Sequence, residues 1–214
     1  MTQQETSAKG SRAERWKKTA RRIRVPLGFA TAALYLFEVI RQPAHPAAIA
    51  WSLALVVPGL ALRAAASGTV RKNRELAVTG PYAYTRNPLY LGSILIAAGF
   101  AVALLSWLLV LVLAVGFALI YIPVIASEEQ FLRATFPGFD DYCRSVPRLI
   151  PRLIPLRGSA THDAEATSRK AEGGFSCTLY LKHREYNSAL GAALLYLSLL
   201  FLRPVLELLI DRFR

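Results

Sequence analysis

Two short segments carry most of the side chains in this chain that are able to do chemistry. The first covers residues 80–92 and reads Gly-Pro-Tyr-Ala-Tyr-Thr-Arg-Asn-Pro-Leu-Tyr-Leu-Gly. It leads into an apolar run, so Pro88 is expected in a first helical turn, with Asn87 capping the exposed N–H groups. Two interpretations are open: a turn with tyrosines at the lipid headgroups, or one wall of a binding site.

The second segment covers residues 127–147 and places two adjacent carboxylates, Glu128 and Glu129, directly after an apolar run. A helix C-terminus carries partial negative charge, so two carboxylates are disfavoured there unless a cation offsets them. The cation is either a bound ligand or Arg133, which follows Glu129 by four residues along a helix. The two possibilities do not exclude each other.

The elements that must position these segments are long and apolar. The chain has 214 residues, 54% of them hydrophobic, and its nearly uncharged runs approach the roughly 17–25 residues that cross a bilayer. We therefore predict an all-α, polytopic integral membrane protein with about five transmembrane helices, including a tight helical hairpin at 90–126. The runs are 25–40, 47–66, 90–105, 107–126 and 188–210.

The basic residues indicate how the chain is oriented. The net charge of +12 is compatible with nucleic-acid binding, but the apolar runs favour a membrane protein with a basic cytosolic face and no nucleic-acid partner. The bias predicts a cytosolic N-terminus, with residues 1–24 forming a basic interfacial helix before a single domain at 25–214. Residues 156–175 are predicted to be a flexible loop. The side of the C-terminus stays open, because Arg212 and Arg214 conflict with an odd number of spans.

Taken together, the two segments resemble the isoprenylcysteine carboxyl methyltransferase family and its phospholipid-methylating relatives. The family pattern is G-x-Y-x-x-x-R-H-P-x-Y-x-G, a helical hairpin, a Glu-Glu pair and F-x-x-Y. About the middle third of the chain is similar, and the Arg-Glu-Tyr-Asn run at 184–187 is similar to bacterial members. The matching residues are Gly80, Tyr82, Arg86, Pro88, Tyr90, Gly92, Glu128, Glu129, Phe139 and Tyr142.

The resemblance implies an S-adenosylmethionine pocket at the cytosolic membrane edge, closed by residues 78–92 and 127–152. The cofactor-binding residues that it implies are Gly80, Tyr82, Arg86, Asn87, Pro88, Tyr90, Leu91, Gly92, Glu128 and Glu129. Glu129, Arg133 and Arg144 are the expected catalytic residues, and Tyr142 and Arg148 the expected substrate-binding residues. No metal is expected, because the three histidines are scattered along the chain.

Asn87 stands where the family has histidine. An asparagine cannot accept a proton from the nucleophile, so we expect an acceptor that is already ionised, such as the carboxylate of an isoprenylcysteine-like lipid. The expected partners are therefore the membrane and a lipid or prenylated small molecule, and the composition suggests a bacterial inner membrane. Two other interpretations are open: a nicotinamide-dependent reductase of the sterol-reductase type, and a non-catalytic membrane scaffold.

Overall fold

The computed structural model describes residues 26–43, 45–71, 75–154 and 175–212. Within these ranges the chain is helical and contains no strand, which confirms the predicted all-α class. The basic helix at 1–24 and nearly all of the loop at 156–175 lie outside the described residues. The helices are α1 (26–41), α2 (Pro46–Thr69), α3 (Pro88–Ala103), α4 (Trp107–Thr135), α5 (Phe139–Ser145), α6 (Cys177–Lys182) and α7 (Tyr186–Arg212), with a 3-10 turn at Gly80–Ala83.

Three of these helices, α2, α4 and α7, are long and apolar enough to cross a membrane, and α3 is a shorter apolar helix. The chain is an integral membrane protein, while five crossings remain a prediction. The hairpin is present: α3 ends at Ala103, and Ser106 caps α4 by accepting a hydrogen bond from the Leu109 amide at 3.2 Å. Helix α4 continues to Thr135, so Glu128 and Glu129 lie inside it and the expected conflict with a helix C-terminus was wrong.

Helices α2 and α3 make the largest interface among α2–α7, and glycines allow their backbones to come close. A Cβ on Gly59 would lie 2.9 Å from the Gly92 carbonyl oxygen, and one on Gly99 would lie 2.9 Å from that of Ser52. Small residues are common where membrane helices pack closely, because dispersion contacts must replace the hydrophobic effect there.

Helices α1 and α7 join this pair through tyrosines. Tyr35 of α1 donates a hydrogen bond to the Leu195 carbonyl of α7 at 2.7 Å, and the Ser52 and Tyr196 hydroxyls lie 2.5 Å apart. The Phe100 ring of α3 packs against both Tyr35 and Tyr196. These contacts give the bundle a core in which every tyrosine hydroxyl named here has a partner, as burial away from water requires.

The close approach of α2 and α3 gives a stability prediction. Gly59→Ala should lower the free energy of unfolding by about 1–3 kcal/mol, because the added methyl group meets the backbone of Gly92 and Ile96 as well as the Ile96 side chain, and the backbone of α3 cannot move aside cheaply. The matched control is Gly191→Ala in α7, where an added Cβ meets nothing within 4 Å. That change should be neutral or stabilising by up to about 1 kcal/mol from helix propensity. Thermal unfolding in detergent, followed by circular dichroism, measures both; equal effects would contradict the packing argument.

Candidate active site

A cavity of about 540 Å³ lies where the 80–92 segment meets the end of α4. Its volume is within the range of roughly 300–1,000 Å³ that small-molecule sites occupy. Its polar lining comes from five different parts of the chain, so the whole fold is needed to form it. Those parts are Arg63 in α2, Glu75 before the 3-10 turn, residues 82–93, residues 121–142, and Glu185 before α7.

The 3-10 turn forms one wall of this cavity, and a hydrogen bond from α5 holds it in place. Gly80 begins the turn with a positive φ of 58°, a conformation that glycine adopts without strain. The Tyr142 hydroxyl of α5 donates a hydrogen bond to the Tyr82 carbonyl at 2.8 Å. Burial raises the pKa of both phenols, and the Glu128 and Glu185 carboxylates raise that of Tyr82 further. Both phenols therefore stay protonated, and Tyr142 remains a donor.

Residues 147–154 form an irregular strap that lies against residues 84–87. The Arg86 amide donates to the Pro147 carbonyl at 2.9 Å, and the Thr85 hydroxyl lies 3.2 Å from the Arg148 carbonyl. Asn87 donates its side-chain amide to that same Arg148 carbonyl at 3.0 Å. Asn87 therefore does not cap α3 through its side chain, and that expectation was wrong. Pro88 does begin α3, as predicted.

Glu129 is the ionic centre of the site. Its carboxylate accepts two hydrogen bonds from Arg148, at 3.0 Å and 2.5 Å, and lies 3.4 Å from the Arg86 guanidinium. This bidentate arrangement raises the pKa of Arg148. The expected pairing of Glu129 with Arg133 was wrong, because Arg133 bonds Asp140 at 2.7 Å instead.

Glu128 differs from its neighbour in being exposed and having no guanidinium within salt-bridge distance among the described residues. It accepts a hydrogen bond from the Tyr90 hydroxyl at 2.9 Å. The Tyr90 ring meets Tyr121 edge to face at 5.2 Å, and Tyr121 stacks on Phe117 at 4.8 Å. A carboxylate beside aromatic rings suits a cationic ligand.

Arg63 and Glu185 line the cavity and were not predicted as site residues. The Arg63 Nε donates to Glu185 at 2.6 Å, and its Nη1 donates to Ser93 and to the Leu89 carbonyl. A Cβ on Gly92 would lie 2.6 Å from the Arg63 Cγ, so Gly92 makes room for this side chain instead of lining the cavity. A charged residue within an apolar run was the available signal for Arg63.

The other predicted residues divide into two groups. Those that line the cavity are Tyr82, Arg86, Asn87, Pro88, Tyr90, Glu128, Glu129 and Tyr142. Those outside the lining are Gly80, Leu91, Gly92, Arg133, Arg144 and Arg148, although Arg148 reaches Glu129. Arg133 and Arg144 form exposed ion pairs with Asp140 and Asp141 of α5.

Four carboxylates line the cavity, and three of them form ion pairs with guanidiniums. Glu75 pairs with Arg71, Glu129 with Arg86 and Arg148, and Glu185 with Arg63. Glu128 is the lining carboxylate for which no such pair is found among the described residues, and it gives the cavity its place for a cation. Within the part of the chain that the structure describes, the buried Arg86 Nε has no hydrogen-bond partner. Its Nη1 meanwhile contacts the Cys143 sulfur at 2.6 Å. A buried donor without a partner costs free energy, so Arg86 can offer a hydrogen bond to an anionic group of a ligand.

A second cavity of about 850 Å³ adjoins the first. It lies between α1, α3 and α4 and is lined mainly by small and aliphatic residues, including Gly28, Ala97 and Gly116. Ser93 and Tyr121 line both cavities. A polar chamber therefore meets an apolar groove at these two side chains.

Two curated relatives are each similar to just under half of the chain. One is the nickel-cobalt-cadmium resistance protein NccN of Alcaligenes xylosoxydans, 42% identical over 92 residues, which cover 43% of this chain and 43% of that protein. Another is the cobalt-zinc-cadmium resistance protein CzcN of Cupriavidus metallidurans, 40% identical over 98 residues, or 46% of this chain and 45% of that protein. The chain thus spans under half the length of these curated relatives.

No solved structure matches the chain. Residues 60–138 match the sequence model of the phospholipid methyltransferase family. The matched segment contains α3, α4, the 3-10 turn and both carboxylates of α4, which together form most of the polar cavity. Over this segment the chain is similar to the phospholipid methyltransferase family, the family of isoprenylcysteine carboxyl methyltransferase-like membrane enzymes.

Proposed function

We propose that the protein transfers a methyl group from S-adenosylmethionine to the polar head of a membrane-partitioned amphiphile. The observation that carries this proposal is the meeting of a carboxylate-rich cavity and an apolar groove at Ser93 and Tyr121. One side of this junction suits a cationic cofactor, and the other suits a hydrocarbon tail. The basic bias of the sequence supports a cytosolic position for the polar cavity in a bacterial inner membrane.

The cavity residues fit the cofactor by charge. When bound, S-adenosylmethionine supplies an electrophilic methyl group on a sulfonium cation. Glu128 and the Tyr90 and Tyr121 rings would hold the positive groups, and the guanidinium of Arg86, which lines the cavity, would attract the carboxylate of the cofactor. Asn87, which the resemblance implies as a cofactor-binding residue, already donates its side-chain amide to the Arg148 carbonyl.

The acceptor is inferred from what the carboxylates of the site are able to do. Glu129 is held by two guanidiniums, and Glu185 by Arg63 and the Ser188 hydroxyl. Carboxylates engaged in this way already have hydrogen-bond partners and are not free to approach the acceptor. A nucleophile that is already ionised needs no base, so we propose an acceptor carboxylate on an isoprenylcysteine-like or related lipid. The chain contributes mainly by aligning the acceptor head with the cofactor.

Cofactor binding gives the first test of this function. The wild-type protein in detergent should bind S-adenosylmethionine in isothermal titration, and Glu128→Gln should weaken binding by about tenfold or more. The reason is that a contact to a charged group contributes roughly 1.5–3 kcal/mol. The control is Asp141→Asn, which changes an exposed ion pair on α5 outside the cavity. Failure of the wild type to bind either the cofactor or its demethylated product would overturn the proposal, and binding of reduced nicotinamide dinucleotide phosphate instead would favour a reductase.

A bulky side chain placed in the apolar groove tests whether this groove binds the tail of the acceptor. Gly116 lines the groove, and a Cβ there would already approach Leu27 at 3.3 Å. Gly116→Phe should raise the acceptor KM at least several-fold while the Kd for S-adenosylmethionine stays unchanged. Ala118→Phe is the matched control, because Ala118 is an exposed residue of the same helix outside the groove lining. Labelled methyl transfer to prenylcysteine analogues measures the KM, and equal KM values for the two variants would exclude the groove as the acceptor site.

The names of the two relatives suggest a physiological setting. Both are described as heavy-metal resistance proteins, and we propose that methylation by this protein contributes to metal tolerance. Expression of the wild type should then raise growth on cadmium in a sensitive host, whereas Glu128→Gln, expressed at the same level, should do so less. Equal cadmium tolerance with the wild type and with Glu128→Gln would show that resistance does not depend on methyl transfer.

A further inference from the structure

The 147–154 strap carries a surface that the cavity does not explain. Its sequence is a tandem repeat, Pro-Arg-Leu-Ile followed by Pro-Arg-Leu-Ile. Three of its aliphatic side chains are among the most exposed in the protein: Ile150 at 81%, Leu153 at 98% and Ile154 at 70%. Adjacent aliphatic side chains on one short segment form an apolar patch, and such patches usually mark an interaction surface.

The strap is held in place by hydrogen bonds along most of its length. The Arg152 amide donates to the Tyr84 carbonyl at 2.9 Å, and the Arg152 guanidinium donates to the Ser145 carbonyl. The Thr85 hydroxyl lies 3.2 Å from the Leu149 carbonyl. The backbone of the strap is therefore held on both sides of Ile150 and as far as Arg152, directly before Leu153.

The ion pair of Arg148 with Glu129 gives the depth of the strap relative to the membrane. Glu129 lies three residues beyond Ala126, the last residue of the apolar run of α4, or about 4.5 Å along the axis at 1.5 Å per residue. The headgroup layer on each side of a bilayer is about 5–8 Å thick. The strap thus begins within that layer, at the same end of the bundle as the polar cavity.

The residue types on the exposed surface of the strap indicate what this surface contacts. Ile122 and Phe131 are exposed apolar residues of α4 before and after Glu129, although Phe131 also lines the polar cavity, so α4 exposes apolar side chains up to the level at which Arg148 of the strap contacts it. Arg152 lies between Ile150 and Leu153 and is partly exposed, and the exposed Arg144 of α5, which also pairs with Asp141, precedes the strap in the sequence. Aliphatic side chains alternating with arginines suit the boundary between acyl chains and anionic headgroups.

We propose that the 147–154 strap is a membrane-surface anchor, in which Ile150, Leu153 and Ile154 insert below the headgroups while Arg144 and Arg152 contact anionic lipid phosphates. Because the same strap donates the Arg148 guanidinium to Glu129, its attachment to lipid holds one wall of the cavity. The inference depends on membrane embedding and not on methyl transfer.

A single fluorophore tests the insertion. In the full chain with Cys143→Ser and Cys177→Ser, Leu153→Cys is labelled with an environment-sensitive dye and reconstituted into nanodiscs of phosphatidylcholine, with or without phosphatidylglycerol. The serine hydroxyl introduced by Cys143→Ser can still accept the hydrogen bond that Arg86 donates at this position. We expect blue-shifted emission and quenching by lipids that carry a shallow spin label, several-fold stronger than at the control position and stronger still with phosphatidylglycerol.

Thr135→Cys is the control position. Thr135 is an exposed residue at the end of α4, nine residues beyond Ala126 and so about 14 Å along the axis, which is past the headgroup layer. The dye there should report water. Equal quenching at 153 and 135, whether strong or weak, would overturn the proposal, as would quenching at 153 that falls when phosphatidylglycerol is added.

Discussion

The ion pair between Glu129 and Arg148 is the interaction on which the polar half of the structure depends. It joins α4 to the strap, and the strap in turn holds residues 84–87 through backbone hydrogen bonds. Arg86 adds a second guanidinium on the other side of the same carboxylate. Only the Glu129 end of this pair is buried, because the Arg148 side chain is 48% exposed and water partly screens it. Glu129 therefore organises the cavity wall, whereas Glu128, one residue earlier and exposed, is available to a ligand.

A second constraint is the distance between α2 and α3. Gly59, Gly92 and Gly99 allow the two backbones to come close, and Gly92 also lets the Arg63 side chain pass toward the cavity. Arg63 then meets Glu185, which lies directly before α7. One close helix contact thus decides both the packing of the bundle and the position of an ion pair in the site. This dual use explains why a glycine of the 80–92 motif lies outside the cavity lining.

The sequence predicted the helical class and the helix hairpin well, because long apolar runs and turn residues such as Ser106 are local signals. It also identified the two segments that surround the cavity, although the roles of their residues in binding stay predictions. The ion-pair and hydrogen-bond partners of individual side chains were harder to predict. Helical spacing suggested Arg133 for Glu129, but the strap, which is distant in sequence, supplies Arg148. Likewise, Asn87 has the residue type of a cap, yet its amide is used by the strap. Tertiary contacts decided both cases, and no spacing rule encodes them.

The division between polar and apolar space has a chemical consequence. An amphiphile whose tail fills the groove between α1, α3 and α4 has its head confined to the junction at Ser93 and Tyr121. The length of tail that the groove accommodates would then determine where the reacting atom of the head lies. A head that is too large cannot pass between the two side chains, and a tail that is too short leaves apolar surface uncovered. Under the proposed function, specificity for the acceptor would therefore depend on tail length and head size together, and the carboxylates of the polar cavity would select the cofactor by charge.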